Sequence, residues 1–467
     1  MVALGFVFYE LKVFNLALGE SGQTDPDGIQ GDESFMEEEH ENHHHEHNHE
    51  NEVEKESGHH HESGTYHHAI AVTDSDSCSR AGKEILQAGG SVIDAAITAV
   101  LCLAVVHPHT TSLGGVFSTI FYNGTSAKAS ILNAVPHEAS PERFGVPVTL
   151  QGLHLLHQKF GLKPWPDLFH AAIKLANEGF TVDAALGQAL EIHQHVVHSS
   201  VGLCKLFCES SNSSGRLKGE GDLVRNPLLG TFLEQVSNAN MNPTLLDTLS
   251  QSLPGDTDPA IKEKLIKTLS KVPFDVDAPL TLHMGEMTLF TSGGQTAGKI
   301  LKDLMQKTSG NETTSVDWTT GGSMAPVGSN VIMAQSNGHI LVMSLSLNSS
   351  FGSGVVSPSS GILFSDFVQG TDSIFWACPA VITYGTDGDV MGLAATGGSS
   401  VPSSIAQVFH NHLYLKKNIT ESVLDSMSNE HGSGPTKYPL TAMAVEVEAE
   451  HLHVAKSIGL CCHYEGL

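Results

Sequence analysis

A layered α+β body with much antiparallel pairing is what the sequence predicts, on three observations. Short apolar runs with strand-like spacing alternate with longer blocks of helical spacing. Asn123-Gly124, Asn337-Gly338 and Asp387-Gly388 each stand between two such short runs, the turn chemistry of a tight hairpin. Strands separated by helical blocks, with hairpins among them, build stacked layers rather than a bundle.

Ala69-Ile70-Ala71-Val72 reads as a short buried strand. Ser79 to Ala88 and Val92 to Val106 read as a helix pair punctuated by Gly89-Gly90, with Ala95, Ala96, Ala99, Leu103 and Val106 at helical spacing. Val116 to Tyr122 and Ala129 to Leu132 read as the first hairpin. Pro147 to Phe160, Trp165 to Gly179 and Asp183 to Val197 then read as successive helices, and residues 222–310 as mostly helical with Pro and Gly stops. Val331 to Ala334 with Ile340 to Leu347, and Val381 to Tyr384 with Val390 to Ala394, make the second and third hairpins. Pro402 to Leu415 and Glu421 to Ser428 close the chain with helices.

The 467 residues carry a net charge of −27, unevenly placed. Residues 1–68 hold 16 acids against Lys12 and Lys55, so about half of the charge arises there. An acidic surface without a basic stripe repels phosphates and excludes nucleic acid as a partner. Residues 20–67, with the run Glu37 to Glu50 at their centre, are acidic and His-rich and have too few apolar side chains to offset their ordering entropy, so they read as disordered. Their clustered imidazoles bind divalent metal weakly at most, since a drifting repeat lacks the fixed geometry of a structural site. Residues 1–19 are apolar in part, but Glu10 and Lys12 interrupt them, and no full membrane span is present.

Seven cysteines are present: Cys78, Cys102, Cys204, Cys208, Cys378, Cys461 and Cys462. Composition alone leaves Cys204 and Cys208 open between a bridge and two buried thiols. Five sequons (Asn123, Asn212, Asn311, Asn348, Asn418) are compatible with an oxidising compartment.

A series of landmarks, in order, gives residues 68–467 a specific resemblance. They are Ala88-Gly89-Gly90-Ser91-Val92-Ile93-Asp94-Ala95-Ala96, His107-Pro108-His109 with Leu113-Gly114-Gly115, Gly161 to Trp165, and Ala176 to Phe180. Ser346-Leu347-Asn348 through Phe351-Gly352-Ser353, and Ser360-Gly361-Ile362-Leu363, complete them. This set resembles the γ-glutamyltransferase (glutathione hydrolase) family, as a divergent animal-type member. The resemblance implies an αββα sandwich of the N-terminal-nucleophile hydrolase type, with a large-subunit-like region at 68–327 and a small-subunit-like region at 328–467 of the same body. It also implies disulfides Cys78–Cys102 and Cys204–Cys208, and a plasma-membrane, extracellular-facing or secretory-lumen location through a type II anchor. Residues 1–19 then read either as the damaged end of such an anchor or as a chain that begins late.

In that family a Thr freed by chain scission attacks γ-glutamyl bonds, and its own α-amine serves as base. Counting back without a gap from Asn348, Gly328 takes the Thr position. Ser329 is the candidate substitute nucleophile, exposed if the chain were cut between Gly328 and Ser329. A one-residue shift along a strand moves a hydroxyl by about 3.3 Å and to the other face, and the alternative reading is an ordinary strand-start serine. Asn330 stands at the family's His. Ser346 and Asn348 match substrate-side positions, or else serve as strand-end hydrogen bonds. Gly397 and Gly398 match the oxyanion turn, or else form a plain strand-to-helix turn.

The glutamate clamp is replaced. Val135 stands at the family's Arg, Phe367 and Gly370 at its two acids, and Phe375-Trp376 at its Ser-Ser pair; Asp366 could replace an acid only with a gap nearby. The expected function is therefore the family's cleavage or transfer of the γ-glutamyl group of glutathione-like molecules, with activity of this chain weak or absent. A non-catalytic scaffold or binding ectodomain is the alternative, and an enzyme using Ser329 a lesser one. No cofactor and no metal at the site are expected.

Overall fold

The computed structural model describes residues 65–467, apart from 137, 141, 210–214, 239–243, 256, 272–275, 309–326, 369–373, 386–387, 429–440, 450 and 458–460. The apolar N-terminus, almost all of the acidic His-rich segment, Asp387, Gly370 and the sequons at Asn212 and Asn311 lie outside these residues.

The chain runs β1 (Thr65–Tyr66), β2 (Ala69–Thr73), α1 (Asp76–Gln87), α2 (Val92–Val106), β3 (Val116–Asn123), β4 (Lys128–Ala134) and α3 (Thr149–Phe160). It continues with α4 (His170–Glu178), β5 (Phe180–Thr181), α5 (Ala184–Ile192), α6 (Gln194–Ser199), α7 (Val201–Phe207), β6 (Leu223–Val224), α8 (Pro227–Asn238), α9 (Thr244–Ser252) and α10 (Pro259–Lys271). After β7 (Leu280–Met284), β8 (Met287–Thr291) and α11 (Gly298–Thr308) come β9 (Val327–Gln335) and β10 (Ile340–Asn348). The remainder is β11 (Ala380–Tyr384), β12 (Asp389–Thr396), α12 (Val401–Leu413), α13 (Ile419–Ser428), β13 (Thr441–Glu448), β14 (His451–Lys456) and β15 (His463–Gly466).

Two antiparallel sheets dominate, ordered β15-β2-β9-β10-β3-β4 and β1-β14-β13-β12-β11-β8-β7. Alternate residues of each strand point to opposite faces, and this sorts the core into three layers. Ile332, Ala334, Ile340 and Val342 meet Val390, Ala394, Met443 and Val445 between the sheets. Val331, Met333, Leu341 and Met343 turn the other way, onto α2 and its neighbours. Leu393, Ala395 and Ala444 pack on the opposite outside against α11 and α12. The result is an αββα sandwich. The β9–β10 hairpin sits between β2 and β3, so segments far apart in sequence share one sheet.

One landmark shows why the helix start is built as it is. Ser91 and Asp94 form a reciprocal capping box at the head of α2. Asp94 is fully buried, and its carboxylate also accepts the backbone N–H groups of Leu162 and Lys163 at 3.0 and 3.2 Å. A buried carboxylate needs this many donors to be tolerated. The Gly-Gly-Ser-Val-Ile-Asp run and the Gly161–Trp165 turn are therefore two halves of one joint.

Four expectations need correction. The folded body begins at β1, ahead of His68, because Thr65 and Tyr66 pair with His453 and Leu452. Asp183 to Val197 is not one helix; it breaks at His193 into α5 and α6. The block 222–310 contains the hairpin β7–β8, turned by Gly285 at φ 66°. Leu282 and Leu289 face one way and Phe290 the other, a period of two that a search for long helical blocks passes over. The chain closes with β13, β14 and β15 rather than with helices. Their Ala- and Glu-rich residues have modest strand preference, and pairing with β12, β1 and β2 overrides it.

Candidate active site between the sheets

Strand β9 carries the candidate nucleophile position, and its pleat decides which groups meet. Gly328 pairs with Ser346 of β10, and Ser329 with Leu345. Gly328, Asn330 and Ile332 share the face that looks between the sheets, because Ile332 lies in that core. A methyl group built on Gly328 would stand 3.1 Å from Thr396 Cγ2, at the end of β12, and 2.5 Å from the Leu345 carbonyl oxygen. The position therefore opens toward the Gly397–Gly398 turn, and the backbone leaves little room for a side chain.

Ser329 shares the opposite face with Val331 and Met333. It is fully buried, and its Oγ lies 2.7 Å from Thr110 Oγ1. That contact is on the α2 side of the sheet, away from the Gly397–Gly398 turn. Asn330 is also fully buried; its Oδ1 accepts the Ser344 hydroxyl at 2.8 Å, and its N–H donates to Asp74 Oδ2 at 3.1 Å.

At the end of β10 the ladder slips between Ser346 and Asn348. Asn348 takes φ 76°, and its backbone N–H donates to Ser346 Oγ at 2.7 Å. Asn is one of the few side chains that enters this left-handed region readily. The turn that follows is tied by Asp366, which accepts the Ser349 N–H at 3.1 Å and the Ser349 hydroxyl at 2.5 Å. Asp366 is thus occupied in a turn. Phe351 anchors the turn from behind, fully buried against His109, His193 and Phe207.

Gly397 and Gly398 connect β12 to α12 through a single 3-10 turn at Gly398–Ser400. Gly398 has φ 69°, where a Cβ is disfavoured. The two backbone N–H groups stand at the head of a helix, where partial positive charge accumulates. The far end of α12 is pinned to β13. His412 Nε2 meets Glu446 Oε1 at 2.8 Å, its Nδ1 meets the Lys417 carbonyl at 2.9 Å, and the Tyr384 hydroxyl donates to Glu446. Burial alone would lower the His412 pKa, but its bond to Glu446 outweighs this and raises it. Burial pushes Glu446 up, and the His412 and Tyr384 bonds bring it below its ordinary value.

The clamp positions hold no charge. Val135 is 2% exposed and lies in the α2-side core. Phe367 and Phe375 are both buried and meet edge to face at 6.2 Å between ring centres. Trp376 does not join them; it packs on the far layer with α11 and α12. Arg143 is exposed.

Several contacts here were not foreseen from sequence, although His107 stood in one of its landmarks. His107 Nε2 is 2.5 Å from Asp183 Oδ2, and Asp183 also accepts the Leu186 N–H as the cap of α5. Burial pushes Asp183 up, and the His107 bond then outweighs it, leaving the acid at about 2. Asp74 follows β2 directly and is buried, with its pKa pushed by burial to about 6. A third disulfide joins Cys461 to Cys462, beside those joining Cys78 to Cys102 and Cys204 to Cys208. The adjacency of Cys461 and Cys462 was the available signal for it; nothing in the sequence alone marked Asp74.

Two facing antiparallel sheets inside helical layers, with a strand-borne position opening onto a Gly-Gly turn, define a fold of the N-terminal-nucleophile hydrolase class. Cephalosporin acylase from Bacillus halodurans shares it, with a TM-score of 0.68 over 86% of this chain and 96% of its own at 16% identity, a likeness of fold alone. The gamma-glutamyltranspeptidase family model matches residues 78–320. Glutathione hydrolase 6 of Mus musculus is 34% identical over 424 residues, covering 88% of this chain and 80% of the relative. The Homo sapiens glutathione hydrolase 6 is 33% identical over 421 residues, with the same coverage. The chain belongs to the γ-glutamyltransferase (glutathione hydrolase) family.

Proposed function

We propose that this chain is an extracellular-facing or secretory member of the family that keeps the glutathione hydrolase fold and carries out little or none of its γ-glutamyl chemistry. One observation carries the reading. The pleat of β9 sets a residue without a side chain toward the Gly397–Gly398 turn and turns the neighbouring hydroxyl of Ser329 onto Thr110.

Acyl transfer needs a nucleophile, a base, oxyanion donors and a substrate clamp. Here the donors remain, with Ser346 and Asn348 beside them as the groups that would touch a glutathione-like molecule. The nucleophile is missing, and with it the α-amine that would follow from scission. The clamp is replaced by an apolar Val135 and by the Phe367–Phe375 ring pair. Each charge-assisted bond lost from a clamp weakens recognition by about 1.5–3 kcal/mol.

Burial of Ser329 supports its reading as a structural serine. A scaffold or binding ectodomain is the second reading, favoured by the aromatic filling of the clamp. Three disulfides among the described residues support an oxidising compartment. A type II anchor at the N-terminus and weak metal binding by the His-rich arm belong to the same proposal.

The test is intact mass after secretory expression, with glutathione turnover assayed on the same sample. A single chain of 49.6 kDa without turnover is the expected result. Scission before Ser329 together with turnover would overturn the proposal. Gly328→Thr is expected to restore neither event, because its Cβ meets the Leu345 carbonyl and the clamp is still missing.

A further inference from the structure

Asp74, Cys461 and Cys462 meet at the edge of the six-stranded sheet. A carboxylate oxygen and the two sulfurs lie within 4.8 Å of one another. β15 brings them together: His463 pairs with Thr73, so the two cysteines just before β15 arrive beside the residue just after β2. Cys462 is fully buried, and Cys461 is at least half-buried.

Asp74 is 8% exposed and only one of its oxygens is satisfied. Oδ2 accepts the Asn330 N–H and the Ser329 hydroxyl also stabilises the carboxylate, while Oδ1 is enclosed without a hydrogen-bond partner. A buried carboxylate oxygen left in this state costs free energy unless a cation or a donor reaches it. Lys456, the last residue of β14, donates from Nζ to the Cys462 carbonyl at 2.6 Å.

We propose that the Cys461–Cys462 bridge masks a binding site for a soft divalent cation, Zn²⁺ or Cd²⁺, whose ligands are both sulfurs and Asp74 Oδ1. A small dithiol opens it. One reductant thiolate attacks a bridge sulfur and the other cysteine leaves as thiolate. The second reductant thiol then resolves the mixed disulfide, so the reductant loses two electrons and two protons and becomes a cyclic disulfide. The metal then replaces the two cysteine protons, forming two metal–sulfur bonds and one metal–oxygen bond, with water as the fourth ligand. Sulfurs about 2.3 Å from zinc stand nearly 4 Å apart across a tetrahedral centre, so the two sulfurs, bonded to each other here, must separate once the bridge is open. This inference is independent of the proposed lack of catalysis.

Full-length protein is reduced with a dithiol under non-denaturing conditions, desalted without oxygen and titrated with Cd²⁺. Thiolate-to-cadmium charge-transfer absorption is the readout, and mapping of alkylated peptides identifies the opened cysteines. Imidazoles of the N-terminal arm give no such band. The band is expected only after reduction, at one Cd²⁺ per Cys461–Cys462 pair. It is expected to persist in Cys204→Ser/Cys208→Ser, which removes the other His and Cys cluster, and to vanish when Cys461→Ser/Cys462→Ser is added to that variant. Asp74→Asn in the same Cys204→Ser/Cys208→Ser background, which keeps both thiols and nearly the same shape, should weaken Cd²⁺ binding at least tenfold with an unchanged thiol count. A band that survives Cys461→Ser/Cys462→Ser in that background, an affinity unmoved by Asp74→Asn, or no band when mapping shows both thiols free would each overturn the proposal. If the double serine variant does not fold, the Asp74→Asn titration decides.

Discussion

On the proposed reading, the two ends of the candidate site have diverged in different ways. At the glycine end, Gly397 and Gly398 still turn β12 into α12, and Ser346 and Asn348 still shape the end of β10. At the clamp end, Val135 and the Phe367–Phe375 pair fill the place with apolar side chains. The difference follows from what each end does for the fold. A Gly at φ 69° and a bulged strand end hold the backbone whether or not a substrate binds. Charges that only a glutamate would neutralise are a burden when no glutamate comes, since a buried unpaired charge is expensive.

The strongest challenge to this contrast is to return a charge to the clamp end. Val135→Arg is expected to destabilise the fold by about 3–5 kcal/mol, the cost of an uncompensated buried charge. Denaturant unfolding measures it. A variant as stable as the parent would show room and partners for a cation, and the contrast would fail.

The glycine end is also held from a distance, through the pin at the far end of α12. His412→Ala is expected to cost about 1.5–3 kcal/mol by removing a hydrogen bond between charged groups. The pH dependence has a definite sign. His412 has a raised folded pKa, so its contribution is complete below the ordinary value of 6.5 and is lost as pH rises through the folded value. Glu446 has a lowered folded pKa, so its contribution is complete above the ordinary value of 4.5 and is lost as pH falls through the folded value. The stability gap between parent and His412→Ala should therefore be widest between these limits and narrow on the alkaline side. A gap independent of pH would remove the ion pair from the account.

A smaller effect tests the turn itself. Gly398→Ala is expected to lose about 1–2 kcal/mol, the cost of a Cβ in the left-handed region, without any change in chain processing. Thermal unfolding and intact mass report the two. The smallest effect is a control remote from both ends. Arg80 and Asp76 form a 2.6 Å pair with both side chains more than half exposed. Arg80→Ala should shift stability by less than about 1 kcal/mol.

Much of the fold was legible because local chemistry and tertiary role agree. Gly338, at φ 78°, turns β9 into β10 where an Asn-Gly pair announced a hairpin. α2 spans Val92–Val106 where an apolar run at helical spacing followed Gly89-Gly90. What was missed had weak or conflicting local signals. β13 and β14 are built from Ala, Glu, His and Val and become strands through their neighbours in the sheet. The ring that meets Phe367 is Phe375, whereas sequence placed Phe375 and Trp376 together in the clamp. Adjacent residues on an extended backbone point to opposite sides, and Trp376 accordingly joins the other layer.

By itself the order of residues determined the family, the layered class of fold and the register that puts glycine at position 328, because strand period and turn chemistry are local properties. Only the tertiary structure decided that the Ser329 hydroxyl lies against Thr110, that Glu446 bonds partners on two other elements, and that Asp74 meets a cysteine pair nearly four hundred residues away. Those outcomes depend on which faces pack together, and packing joins residues that no local pattern relates.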